Sequence, residues 1–406
     1  ACLPRFSAPL LDHCLGRQDA QDLIDRLWRR NALLLRVDDD PPVYRLHELF
    51  RDWLRQQGEP PELGAAFRGA GIRGAAIRGA DFRKAAAHWL ESQEQGIEAL
   101  ALLLDCAAWP EAEALVSRQL QAWLLQGEAH RVIAAMARFP PAWVAQSPWL
   151  EVVEAIARFN RGDFDAAEAG LVLLAERAEA TDPALGLLVT FIRSQIALHT
   201  GARERTRDFI ERLRAHPGLG QSPLRAWIQQ MLGMDALFNG DLDAARMHLF
   251  AAIRDAERHG DLYGLSVSVS WLSPTLFFSG ELAQIEHWMD FLADTLQAQD
   301  NQSPLAALVP YMHSGLLQEQ NRLQEAAAAL REAVLRGIEN LNPINQMYFD
   351  LRNWAVAVSQ GDHQEAERSL QRILFAHERG GRPWHYLFPE PIVLDAITQL
   401  ARGNMQ

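Results

Sequence analysis

A chain of 406 residues that is 49% hydrophobic and 8% aromatic has enough apolar material for a large core, which excludes a disordered chain and predicts two or three domains or one long array. Its formal net charge of −13 disfavours nucleic acid as a partner of most of its surface. There is no run of about 18 apolar residues, no basic-then-apolar leader in ACLPRFSAPLLDHCLG, and no C-x-x-C pair among Cys2, Cys14 and Cys106. A membrane span, a disulfide framework and a zinc knuckle are therefore not expected, and a cytoplasmic location is.

In chain order, DAQDLIDRLWRRN (19–31) places Leu23, Ile24 and Leu27 on one helical face behind Asp19 as a cap. LLLRV (33–37), the turn DDDPP (38–42) and VYRLH (43–47) predict a β-hairpin. HELFRDWLRQQ (47–57) closes the module as a helix with Leu49, Phe50, Trp53 and Leu54 facing inward. Helices flanking a hairpin outline a winged-helix domain over residues 1–58. Residues 1–60 carry 9 basic and 10 acidic side chains, a balance that argues against direct contact with DNA.

The stretch RFSAPLLDHCLGRQDAQDLIDRLWRRNALLLRVDDDPPVYRLHELFRDWLR resembles the winged-helix segment of the MalT-like large ATP-binding regulators of the LuxR class. That resemblance implies an upstream ATPase of the signal-transducing (STAND) type that holds ATP or ADP, a downstream helical-repeat sensor, and a DNA-binding helix-turn-helix after it. It also implies a nucleotide-sensing role for His47, which stands in the Y-R-x-H segment. The chain contains no G-x-x-x-x-G-K-(S/T), so no cofactor is expected on this chain and ATP or ADP is expected only in a missing upstream domain. The chain opens on Ala1 and has no methionine before Met136, which suggests a piece of a longer protein.

Residues 59–83 predict a linker. GAAFRGAGIRGAAIRGADFR (64–83) repeats Gly-Ala-x-(Phe or Ile)-Arg four times, a pattern similar to pentapeptide-repeat proteins. Five residues advance a helix by about 500°, so the apolar residues would spray around its axis. Gly69-Ala-Gly71-Ile-Arg-Gly74 matches a dinucleotide loop but follows Pro60-Pro61, with no strand before it. Two readings stay open: an insert at a joint, or a functional basic strip built on Arg68, Arg73, Arg78, Arg83 and Lys84 that binds or mimics nucleic acid.

From residue 84 to 406 one pattern recurs. FNRGDFDAAEAGL (159–171) and LFNGDLDAARMHL (237–249) show it, and its turn residue falls at Gly162, Gly201, Gly240, Gly280, Asn321 and Gly361, in steps of 39, 39, 40, 41 and 40 residues. Each copy predicts an apolar helix, a Gly or Asn able to take φ > 0, and an amphipathic helix with Ala at close-packing positions. Prolines 183, 223, 304 and 343 mark the starts of first helices. RKAAAHWLESQEQGIEALALLLDCAAWPEAEALV (83–116) is similar to the first sensor unit of the same family. The fold class predicted is mainly α: a small winged helix followed by an α-solenoid of TPR-like helix pairs.

No catalytic constellation such as H-E-x-x-H or G-x-S-x-G is present, so no enzyme and no metal site is expected. A solenoid groove suits binding. Tyr263, Trp271, Tyr311, His313, Tyr348, Arg352, Trp384 and Tyr386 combine flat apolar faces with donors and acceptors on first helices, and they are the ligand-binding candidates. The expected function is inducer sensing within a STAND transcription regulator that self-associates in its active form. The alternative is a TPR scaffold that binds a peptide or a regulatory protein.

Overall fold

The structure is a computed structural model and describes residues 3–29, 33–39, 42–56, 79–216, 219, 222, 224–298, 304–338, 343–379 and 391–402. These fall into two compact units, residues 1–120 with 137–143 and residues 121–136 with 144–406.

In the first unit, α1 (Ala8–Leu15) starts at Ser7, whose hydroxyl accepts from the Leu10 N–H, and ends at Gly16 in the left-handed region. Helix α2 (Ala20–Arg29) takes its cap from a distance. The Ala20 N–H donates to Asp12 Oδ1 at 2.9 Å, while the Asp19 carboxylate is held by Arg17 at 2.6 Å. The cap expected at Asp19 is thus supplied by Asp12, because Arg17 competes for Asp19. Strands β1 (Leu34–Asp39) and β2 (Pro42–Leu46) pair antiparallel, and Phe6 bridges to Tyr44 as a short third edge. Ala8, Ala20, Ile24, Leu34 and Tyr44 form the core.

Helix α3 (Glu48–Gln56) does not face inward as its pattern predicts: Leu49 is 76% and Trp53 51% exposed, and Phe50 stacks on Trp53 at 5.9 Å. The small core is already closed by Tyr44 and Leu34, so the apolar face of α3 is left uncovered among the described residues. The Cys14 thiol is buried, which pushes it up to about 11, so it behaves as a small apolar side chain.

Residues 57–78, and with them most of the five-residue repeats, lie outside the described residues. The last copy is helical: α4 (Gly79–Ser92) begins inside it, with Asp81 in the first turn where a carboxylate favours the helix N-terminus. Helix α4 packs on α1 and on α5 (Gly96–Asp105), which is followed by α6 (Trp109–Leu125). Winged helix and first helical pair therefore belong to one compact unit.

The second unit contains α7 (Ala129–Met136) and then six helix pairs. These are α8 (Pro148–Asn160) with α9 (Phe164–Thr181), α10 (Pro183–His199) with α11 (Arg203–Ala215), and α12 (Leu224–Phe238) with α13 (Leu242–His259). Next come α14 (Leu262–Phe278) with α15 (Leu282–Ala298), α16 (Leu308–Glu319) with α17 (Leu323–Leu335), and α18 (Pro343–Gln360) with α19 (His363–Arg379); α20 (Pro391–Ala401) follows.

Inside every pair the chain reverses at the expected turn residue, with φ of 75°, 69°, 79°, 77°, 57° and 74° from Gly162 to Gly361. Only Asn321 carries a side chain there, and Asn is one of the few residues that tolerate this conformation. In the Gly-Asp copies one dipeptide does two jobs. The glycine ends the first helix, and Asp163 or Asp241 accepts from the N–H of Ala166 or Ala244 to start the second.

First helices of successive pairs pack directly on one another, α8 on α10 and so on to α16 on α18, whereas second helices meet their counterparts far less. The array therefore curves with the even-numbered first helices on its inner side. The Leu- and Ala-rich faces between the two layers are buried, Leu171, Leu185, Leu249 and Ala245 among them.

Candidate functional site

Two depressions open on the inner surface of the second unit. The first, a cleft of about 1130 Å³ open to solvent, is lined by α8, α10, α12 and α14. Three successive first helices place an aromatic ring on it: Phe191 lies 4.7 Å from Trp227, and Trp227 lies 5.2 Å from Tyr263. Trp227 is fixed by the start of α14. Asp261 caps that helix by accepting the Gly264 N–H on Oδ1 at 2.7 Å and the Trp227 indole N–H on Oδ2 at 2.6 Å.

A Cβ on residue 264 would overlap both groups, so the indole and the carboxylate meet only because that residue is glycine. Asp261 is 1% exposed. Burial pushes its carboxyl up to about 7, against the opposing pull of its two donors. The polar groups of the cleft are the amides Asn160, Gln195 and Gln230 and the imidazoles His130 and His199; among the described residues no Asp, Glu, Lys or Arg lines it.

The second depression, of about 1280 Å³, is lined by α14, α15, α16 and α18. Trp271 belongs to both, with its ring edge-on to Phe238 at 5.4 Å and to Tyr348 at 5.3 Å. Opposite stand Tyr311 and Arg352. Arg352 Nη1 donates to Gln318 Oε1 at 3.3 Å, and the guanidinium also hydrogen-bonds the Tyr311 hydroxyl. Burial pushes the Tyr311 phenol up, with Arg352 pulling against it, and burial pushes the Tyr348 phenol well up.

Of the residues singled out from sequence, Tyr263 lines the first cleft, Trp271 both, and Tyr311, Tyr348 and Arg352 the second. His313 stands apart, in another hollow beside Glu332 and Arg336. It is two residues from Tyr311 on one helix, and such a pair points to different faces. Trp384 and Tyr386 lie outside the described residues. His47 sits half-buried at the corner between β2 and α3, its N–H donating to the Leu33 carbonyl at 2.8 Å.

Sequence reasoning missed Phe191, Trp227, Gln230 and Asp261. A signal was present in the repeat register, since Trp227 stands before Gly240 at the same place as Tyr348 before Gly361. The Asp261–Trp227 bond, between residues 34 apart, leaves no such trace.

A winged helix and a curved array of helix pairs define a helical-repeat solenoid protein. The MalT winged helix domain family matches residues 1–65, and the MalT-like TPR region family matches residues 188–385. Both matched segments are therefore MalT-like modules. No curated protein matches the sequence. Among solved structures the chain is similar to the signal transduction ATPase with numerous domains (STAND) protein with a tetratricopeptide repeat sensor from Pyrococcus horikoshii, at 9% identity and a TM-score of 0.54. That likeness covers 99% of this chain and 58% of the other, and it bears on the fold alone.

Proposed function

We propose that this chain is the effector-sensing part of a MalT-like, LuxR-class transcription regulator of the STAND type, and that an uncharged small-molecule inducer settles in the first cleft. The observation that carries this reading is the lining: a Phe191–Trp227–Tyr263 wall of successive tilted rings with amides and imidazoles at its edge and, among the described residues, no Asp, Glu, Lys or Arg. A charged ligand would give up its hydration there without a partner. A flat neutral one gains stacking and hydrogen bonds to Gln195 and Gln230.

In this reading the chain catalyses nothing. ATP and ADP belong to an ATPase module of the parent protein, DNA to a helix-turn-helix, and the whole works in the cytoplasm and self-associates when active. The inducer acts by binding one state of the solenoid better than the other. The uncovered Leu49 and Trp53 of α3 offer the ATPase module an apolar face, with His47 beside it as the nucleotide-sensing group.

Thermal unfolding of the 406-residue chain against a panel of neutral sugars, nucleosides and aromatic amides tests the proposal. A ligand present at 100 times its Kd adds about 2.7 kcal/mol, and Gln230→Ala is expected to weaken the response while Trp227→Ala removes it. Silence across the panel, or a response that Trp227→Ala leaves intact, defeats the proposal and favours a peptide or protein partner.

A further inference from the structure

We propose that the second pocket is a separate binding site for an aryl or arylalkyl carboxylic acid, held through its carboxylate by Arg352. It does not depend on the first cleft being the inducer site, since the two carry different chemistry.

The repeat register isolates Arg352. Val153, Ile192, Met231, Trp271, Met312 and Arg352 all occupy the ninth place before their turn residues, so an arginine stands where five other copies place an apolar side chain. Val153, Ile192, Met231 and Met312 are each buried in the body of the solenoid. The chain also makes room for the exception. A Cβ on Gly315 of α16 would lie 3.0 Å from Arg352 Cζ, and glycine inside a helix costs about 1 kcal/mol relative to alanine. The guanidinium rests against that bare backbone.

The partners of Arg352 are neutral. Gln318 and Tyr311 accept from it, and no carboxylate pairs with it among the described residues. Other arginines of the solenoid do have acidic partners: Arg193 meets Glu168 at 2.9 Å, Arg246 meets Glu281 at 2.7 Å and Arg372 meets Asp350 at 2.6 Å. A half-buried guanidinium among aromatic walls keeps donors for an anion, and its planar fork matches a carboxylate. One cation, with exposed Glu319 also lining the pocket, suits a monoanion better than a phosphate dianion. Trp271, Tyr348, Phe277 and Phe278 supply flat surface for the aryl group.

Calorimetric titration of the whole chain with phenylacetate and indole-3-acetate, each against its neutral amide, tests the site. The acids are expected to bind at least about tenfold more tightly than the amides, as a charge-assisted bidentate pair implies. Arg352→Gln brings acid and amide together, Arg352→Lys retains part of the preference, and Trp227→Ala in the first cleft retains all of it. Equal affinity for acid and amide, no binding of either acid at millimolar concentration, or a preference that survives Arg352→Gln overturns the proposal. Should Arg352→Gln fail to fold, Gly315→Ala decides: crowding the guanidinium is expected to weaken acid binding severalfold, and unchanged acid binding overturns the site.

Discussion

The first cleft and the second pocket sit on one helical surface and share the Trp271 wall, yet their linings differ in chemistry. In the first, the rings of Phe191, Trp227 and Tyr263 meet at a tilt across three repeats and the polar groups are amides and imidazoles. In the second, Trp271 meets Tyr348 edge-on, and Arg352 replaces the apolar residue found at its register place elsewhere. The backbone of each pair is set by its turn residue and alanines, which both regions have in common. The chemistry of each depression is set by what fills a few register places on the inner helices, so neighbouring repeats can carry unlike linings without a change of fold.

The largest effect expected from breaking this contrast is that of Trp227→Ala. It removes a ring that is 5% exposed, opens a cavity between Phe191 and Tyr263, and leaves Asp261 without one of its donors. Urea unfolding should register a loss of about 3–5 kcal/mol, while the acid preference of the second pocket stays as it was. A loss under about 1 kcal/mol would show that the indole is not part of a packed wall.

Asp261 sharpens the contrast through pH. Its folded-state pKa of about 7 lies above the ordinary 3.8, so the folded chain holds the proton more tightly than the unfolded one. Stability is then fullest below about pH 4 and falls as pH rises to about 7, by up to about 4 kcal/mol for this group alone. Asp261→Asn is expected to flatten that part of the stability–pH curve. A slope that persists unchanged in the variant would remove Asp261 as its source.

The smallest effect is a control on the shared scaffold. Gly240 has φ of 79° and open space where a Cβ would go, so Gly240→Ala meets only the backbone penalty of about 1 kcal/mol. Ligand binding in both pockets should be untouched. A much larger loss in thermal unfolding would mean that the turn does more than reverse the chain.

Much of this molecule was legible because its information is local. The period from Gly162 to Gly361, the Gly-Asp turn-and-cap pairs and the hairpin at 34–46 each depend on residues a few places apart, where helix, turn and strand preferences act. That Tyr311, Tyr348 and Arg352 line one depression follows from the same local register, since aromatic and polar residues on a first helix must face the inner surface or the layer beneath it. What the sequence left open depends on groups that only folding brings together. The Asp12 cap on α2, the uncovered face of α3, and the bond from Trp227 to Asp261 were decided by competition and close approach among side chains distant in sequence. His313 lines another hollow because it sits two residues from Tyr311 and so at a different angle on the helix. The sequence by itself therefore determined a winged helix and a stack of helix pairs, since repeated local signals suffice for that. Only the tertiary structure decided which aromatics line the amide-rimmed cleft and which surround an arginine, because that choice rests on burial and partner geometry that no single segment contains.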